Sequence, residues 1–392
     1  MEKHVLILAT THDFLLKFER ENVKILQEMG YTVHFAANLR EPSYLSDQDR
    51  IRAQGVVLHH LDVARSPYLL GDNRRALEQL LELIRRWEIR AIHCHTPVGG
   101  LLGRLAGRFS SRRPVVVYTA HGFHFYRGAP LYNRLAFYPV ERELARWTDL
   151  LVVINREDQQ AALRLPLKAG AKVFRLPGVG LDRQVFHPLD PERRAALRRG
   201  FGLSPGDFFL VSVGELNLNK NHGVVLDALS LLRRRGRLSG IRYAICGEGF
   251  TRERLEQEIR ERQLPVELWG YRRDVPEIVG CADATLFPSR REGLGMAGLE
   301  SLAMGVPVLA ADNRGTREYM VHGKNGLVYD WDDAEGFARG IQLLRGLDLE
   351  RRRELSRRCQ DSVAPFDRRE TREAMEAVYR EMDRKVRQRY GP

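Results

Sequence analysis

Short apolar runs alternate with longer helical stretches along this chain, and the alternation occurs in two successive series. In the first half, apolar runs at His4–Thr10, Thr32–Ala37, Val56–Val63, Ala91–Thr96, Val115–His121 and Leu150–Asn155 read as strands. Longer segments separate most of them, such as Arg74–Trp87 with Leu77, Leu80, Leu81 and Ile84 at helical spacing. The series restarts with Phe208–Val213, Arg242–Cys246, Val266–Trp269, Thr285–Pro288, Pro307–Ala311 and Gly326–Tyr329. Strands that are apolar throughout are buried on both faces, which predicts α/β architecture with parallel sheets covered by helices.

A chain of 392 residues exceeds one ordinary core, so two domains are expected. The break falls in Leu176–Pro188, where two prolines and two glycines fit a hinge better than an element interior. An N-terminal domain over 1–180 and a C-terminal domain over 181–366 follow. The last helix, Arg368–Tyr390, carries an apolar stripe of Met375, Val378, Tyr379, Met382 and Val386. With that helix (367–392) returning to the N-terminal domain, the expected fold is two Rossmann-like domains facing a cleft. Ligands of such folds sit at the C-terminal ends of the strands.

Composition narrows the class of protein. At 43% hydrophobic and 29% charged residues with 34 glycines, the chain reads as soluble α/β. No run approaches the roughly 20 apolar residues of a membrane span, and the N-terminus enters a strand directly, so a cytoplasmic location is expected. Cys94, Cys246, Cys281 and Cys359 show no metal or disulfide spacing and read as buried reduced thiols. The net charge of +12 admits nucleic acid, an anionic membrane surface or negatively charged substrates. In Leu101–Arg113, Arg104, Arg108 and Arg112 recur at intervals of four. They form either a basic face for anionic lipid or the solvated side of a covering helix.

The densest chemistry lies in Arg290–Ala303. Gly293 and Gly295 let the backbone approach a ligand, and the amides of Gly295, Met296 and Ala297 fall at a helix N-terminus suited to phosphate. Glu292 precedes that anion site and Glu300 is expected about two turns into the helix. A second candidate grip is Gly214 to Lys220, a loop between a strand and the helix Gly223–Arg233, without Walker spacing. Cys246-Gly247-Glu248-Gly249 reads as a tight turn. Arg272, after the next strand, is either a nucleotide contact or surface. In the first half His121 ends a strand and points toward the expected cleft, whereas His93 and His95 share a strand face around Cys94. Further metal ligands at zinc spacing are lacking there. Asp47-Gln48-Asp49 and Asp330-Trp331-Asp332 read as solvated turn or helix N-terminal residues.

Together, the Glu292–Glu300 segment, the Gly214–Lys220 loop, the strand leading to His121 and the returning helix resemble the GT-B glycosyltransferases of family 4. The resemblance spans essentially the whole chain. Thr119–Asn155, with His121-Gly122-Phe123-His124-Phe125-Tyr126-Arg127-Gly128, is similar to bacterial enzymes that build capsules and exopolysaccharides. The resemblance implies a nucleotide-sugar co-substrate, with UDP expected, no metal or other cofactor, and retention at the anomeric carbon. Glu300 would bind the ribose hydroxyls and Glu292 the donor sugar. Lys220 and Gly214, with Gly293, Leu294, Gly295, Met296 and Ala297, would hold the diphosphate. His121 would touch the sugar or the acceptor, and a phosphate oxygen would take the acceptor proton. The implied acceptor is a glycan or a polyprenyl-diphosphate-linked sugar at the inner membrane face, with no nucleic acid. Two departures stand out. Glu215 occupies the place of the family's usual arginine, which leaves Arg272 to compensate, and Ala9–Asp13 lacks the paired glycines common near the acceptor. Two other readings stay open: a UDP-sugar 2-epimerase of the same fold, which would turn over donor without acceptor, and a basic RNA- or membrane-binding protein.

Overall fold

The computed structural model describes residues 2–41 and 48–391. It divides into two compact units, Met1–Val179 with Arg369–Pro392, and Gly180–Arg368. Among the described residues, the first unit contains β1 (Lys3–Thr11), β2 (Tyr31–Asn38), β3 (Val57–His60), β4 (Ala91–His95), β5 (Val115–Ala120), β6 (Leu150–Val153) and β7 (Lys172–Arg175). They form one parallel sheet in the order β3-β2-β1-β4-β5-β6-β7. The second unit contains β8 (Phe208–Val213), β9 (Ile241–Cys246), β10 (Val266–Gly270), β11 (Ala284–Phe287), β12 (Val308–Ala311) and β13 (Gly326–Tyr329). Its parallel order is β10-β9-β8-β11-β12-β13. Every residue of β4, β5, β6, β11 and β12 is buried, as strands covered on both faces must be. Each buried Val or Leu among them contributes about 1.5–3 kcal/mol.

Both sheets grow outward from their first strand in one direction and then reverse, at β1/β4 and at β8/β11. At such a switch point the two adjacent crossover connections leave on opposite faces, opening a crevice above the strand ends. In the second unit the loops that follow β8 and β11 therefore flank one crevice. These are the loops holding Gly214–Lys220 and Glu292–Gly295.

The last helix, Arg368–Tyr390, belongs to the first unit from Arg369 onward. Its Tyr379 hydroxyl meets His93 at 2.8 Å, and Asp383 accepts from Tyr31 at 2.9 Å and from Lys3 at 3.1 Å. Met375, Val378, Tyr379, Met382 and Val386 are buried, so the apolar stripe has its surface. Where the chain passes between units, Leu181 and Asp367 form a parallel bridge, with Leu181 N donating to Phe366 O at 2.9 Å.

Neither of the two readings of Leu101–Arg113 holds for all three arginines, which do not share one helix face toward solvent. The helix is Pro97–Phe109, which leaves Arg112 and Arg113 beyond its end. Arg104 is 1% exposed; it ion-pairs with Glu141, donates to Gly100 O at 2.8 Å and stacks 3.9 Å over the Tyr118 ring. A recurrence of four cannot show which side of a helix meets a partner bearing a carboxylate. All four cysteines are buried and unpaired. Asp47 lies outside the described residues. Asp330 and Asp332 lie in the turn before the helix Ala334–Arg345, and its N-cap is Asp333, which accepts from Gly336 N at 2.7 Å.

Candidate functional site

The site in the second unit is built on three loops. After β8 the chain turns through Gly214, and its loop is sewn to its neighbours on both sides. Gly214 N donates to Cys246 O at 2.9 Å, and Leu216 N to Glu248 O at 2.9 Å. The Gly247–Gly249 turn packs so closely on this loop that a Cβ at Gly247 would fall 1.9 Å from Gly214 O. On the other side, Arg290 N donates to Asn219 O at 2.8 Å, and Asn219 Nδ2 to Arg291 O at 2.9 Å. This stitching carries Lys220 to Glu292: Nζ donates to Oε1 at 2.7 Å, and Nζ also lies 5.3 Å from the centre of the Phe287 ring. Both side chains are mostly buried, at 21% and 15% exposure. The Lys220 charge, after burial, also depresses the pKa of His222 to about 4 and keeps that imidazole neutral.

The helix Met296–Ala303 begins at Gly295, which caps it in the left-handed region at φ 89° with no side-chain cap. A Cβ there would be strained by that φ and would stand 2.7 Å from Phe287. The first amides, Met296 and Ala297, are thus at an uncapped positive helix end, the arrangement that holds phosphate. Glu300 is the fifth residue of this helix, just over one turn in and not two. Its carboxyl makes no hydrogen bond among the described residues, and burial alone lifts its pKa to about 7. Gly293 and Leu294 lead into the cap, with Leu294 buried.

A third loop, after β12, supports the other two, and nothing in the sequence pointed to it. Asn313 Nδ2 donates to Ser289 O at 2.9 Å. Arg314 Nε donates to Glu292 O at 3.3 Å. The buried Tyr319 hydroxyl donates to Gly295 O at 3.1 Å, and both Glu292 and Glu300 help to raise its pKa. Gly315 leaves room for Glu292, whose Cβ would lie 2.9 Å from a side chain there. Tyr319 also fills the space above Gly298, where a Cβ would meet its hydroxyl oxygen at 2.2 Å. Gly298→Ala is therefore expected to displace Tyr319 and destabilise the fold by about 1–3 kcal/mol, read as a lower urea midpoint at unchanged m-value.

Arg272 lies elsewhere on this rim. It follows β10, two strands from β8, so about 10 Å separates their strand axes. Its guanidinium is held by Asp274 (Nε to Oδ1 at 2.8 Å) and lies 5.7 Å from the Trp269 ring. Glu215 is exposed, and the cation brought to Glu292 is Lys220.

In the first unit, His121 follows β5 and packs edge-on to Phe14 at 5.5 Å. Its Nε2 is 3.2 Å from Nδ1 of the buried His95, and burial lowers its pKa to about 4, so it is neutral at pH 7. Glu19, His93 and His95 bring potential ligand atoms within 4.8 Å of one another. Both nitrogens of His93 are already committed, Nδ1 to Tyr379 and Nε2 to Thr119, each at 2.8 Å. That disfavours metal ligation by His93.

Comparison with known proteins accounts for both units. The family described as Glycosyl transferase 4-like domain matches residues 20–178, and the one described as Glycosyl transferases group 1 matches residues 193–361. The "Putative glycosyltransferase EpsD" of Bacillus subtilis (strain 168) is 37% identical over 348 residues, covering 88% of each chain. The UDP-Gal:alpha-D-GlcNAc-diphosphoundecaprenol alpha-1,3-galactosyltransferase of Escherichia coli is 25% identical over 301 residues, or 74% of each. In fold, the chain is similar to Anabaena Alr3699/HepE, crystallised with UDP and glucose, at TM-score 0.77 and 17% identity over 97% of this chain and 100% of that one. With each unit matched by a glycosyltransferase family and a relative this similar across most of its length, the chain belongs to the group 1 glycosyltransferases with a 4-like N-terminal domain, on the GT-B fold.

Proposed function

We propose that this protein is a retaining glycosyltransferase that moves a sugar from a UDP-sugar to a glycan or polyprenyl-diphosphate-linked acceptor during cell-surface polysaccharide synthesis, without a metal. The observation that carries this reading is the Lys220–Glu292 pair beside the uncapped N-terminus of Met296–Ala303, with the unpaired Glu300 carboxyl on that same helix. The amides and Lys220 meet a diphosphate, and because charge grows on the leaving phosphate, the same contacts stabilise the transition state. Glu300 accepts from the ribose hydroxyls and Glu292 orients the donor sugar. UDP as the base carrier, and a diphosphate-linked lipid as acceptor, are supported by the E. coli relative's name and by the UDP complex of HepE. Among the described residues no helix is long and apolar enough to cross a membrane. A peripheral position suits the exposed Phe109 beside Arg108 in the first unit.

Thermal unfolding with and without UDP tests the reading. Ligand at about 100 times its dissociation constant adds ~2.7 kcal/mol to the folded state. The wild type is expected to shift upward and Glu300→Ala to shift much less. No shift with UDP, GDP or ADP would overturn the donor-site assignment.

A further inference from the structure

Behind His121 lies a buried chain of ionisable groups that the transfer reaction as described above does not use. Glu19 ends a π-helical turn, Leu15–Glu19, that leads into the helix Arg20–Glu28, and π-turns of this kind are frequent at functional sites. Its side chain is 3% exposed, and its Oε2 accepts from Asn22 Nδ2 at 2.7 Å. The same oxygen stands 3.4 Å from Nε2 of His95, a buried nitrogen with no hydrogen bond of its own among the described residues. His95 Nδ1 then meets His121 Nε2 at 3.2 Å. His121 Nδ1 makes no hydrogen bond among the described residues. The line runs carboxyl, imidazole, imidazole, and ends on an unfilled nitrogen.

We propose that Glu19 and His95 are positioning residues that set the tautomer of His121 through a proton relay. The chemistry allows two arrangements that differ by one proton. With Glu19 ionised, His95 Nε2–H donates to the carboxylate, His121 Nε2–H donates to His95 Nδ1, and His121 Nδ1 is a bare acceptor. With Glu19 protonated, the acid donates to His95 Nε2, His95 Nδ1–H donates to His121 Nε2, and His121 Nδ1–H is a donor. A proton arriving at Nδ1 of His121 is thus matched by one passed from His121 Nε2 to His95 Nδ1 and one from His95 Nε2 to Glu19. Each imidazole carries one proton before and after, and no imidazolium forms.

The surroundings favour this sharing. Burial is the largest influence on every member. It raises the pKa of Glu19, holds His95 near 3 and His121 near 4, and drives His93 well below its usual value. The titratable groups facing Glu19 are His93 from β4, His121 after β5 and Tyr379 from the C-terminal helix, whose own pKa is raised by burial and by Glu19. On its own turn, Lys17 and Asp13 pair at 2.6 Å. His93 is pinned by Tyr379 and Thr119, and its ring centre lies 4.1 Å from that of His95, which holds the His95 ring in line.

The role of His121 as a substrate contact rests on the function proposed above; the relay does not. The test is therefore made without substrate, by nitrogen-15 NMR of the histidine rings in the full-length protein between pH 5 and 9. His95 and His121 are expected to exchange Nε2–H for Nδ1–H together, at one shared midpoint above the usual carboxylate range, as pH falls. In Glu19→Gln that shared transition is expected to vanish while both rings stay neutral. Tautomers that stay fixed across this range in the wild type, or a transition that survives Glu19→Gln, would overturn the relay. A second readout is the acid limb of kcat/KM, expected to move in Glu19→Gln; a purely structural Glu19 would lower the rate without moving it. If no turnover is found with any donor, the NMR result stands by itself.

Discussion

Lys220→Ala is expected to lower kcat by about 10²–10³-fold, the usual cost of deleting one fixed donor aimed at developing charge. The loss should fall on kcat more than on KM, because the leaving diphosphate carries more charge in the transition state than in bound donor. The structure leaves little to compensate. The helix amides at Met296 and Ala297 remain, but Arg272 is tied to Asp274 two strands away, and Glu215 contributes no cation. Glu292→Gln provides the contrast. It removes the carboxylate that holds Lys220 at 2.7 Å in the free protein and leaves the ammonium fully available to an incoming diphosphate. UDP should then bind at least as tightly as to the wild type, while turnover falls through loss of the contact to the donor sugar. Calorimetric titration with UDP and initial rates of nucleotide release separate the two variants. A Lys220→Ala enzyme within a few-fold of wild-type kcat would remove Lys220 from the mechanism.

The central strands of the second sheet were legible because strands buried on both faces advertise themselves as uninterrupted apolar runs, and the observed bounds of β8 match the expected ones. The strand β7, Lys172–Arg175, gave no such signal: among the described residues it pairs only with β6, at the sheet edge, and its terminal Lys and Arg are exposed. Glu292, Gly295 and Glu300 were legible for a local reason, since glycines before a helical run place amides and acids within one segment. Tyr319 and Gly315 were not, because their part is to back a loop some twenty residues earlier in the chain. His95 and Glu19 lie still further apart, and only the pairing of β4 with β5 and the turn after β1 bring them into line with His121. Arg104 misled for the same reason. Its spacing suited a solvated face, and the carboxylate that buries it, Glu141, is supplied by a different helix. What sequence pattern conveys is local chemistry and burial; what it omits is which distant side chain completes a site.

Replacing Glu300 by glutamine is expected to strengthen the ligand-free fold and weaken nucleotide binding, with both effects dependent on pH. Burial raises the folded-state pKa of this carboxyl to about 7, from an ordinary value of 4.5. Folding therefore favours the protonated acid: the stability it contributes is fully present below pH 4.5 and is lost as pH rises through about 7. At pH 8 the ionised carboxylate opposes folding, and because the side chain is only partly buried the penalty amounts to about 1–3 kcal/mol. Glu300→Gln should recover that amount at pH 8 and almost none at pH 4, which urea unfolding at the two pH values would show. Nucleotide binding has the opposite requirement. A carboxylate accepts from two ribose hydroxyls at once, whereas the protonated acid has one oxygen less to offer. Wild-type affinity for UDP should thus fall as pH drops below about 7, approaching tenfold per unit. The phosphate of UDP titrates near pH 6 as well, and the glutamine variant, which retains only that contribution, isolates the part due to Glu300. Equal pH dependence in the two proteins, or a variant less stable than wild type at pH 8, would show that Glu300 is not the ribose acceptor held ionised at an energetic cost. The expected result is a site whose most strained charge is relieved by its own ligand, so that the free enzyme is stabilised by the very substitution that disables it.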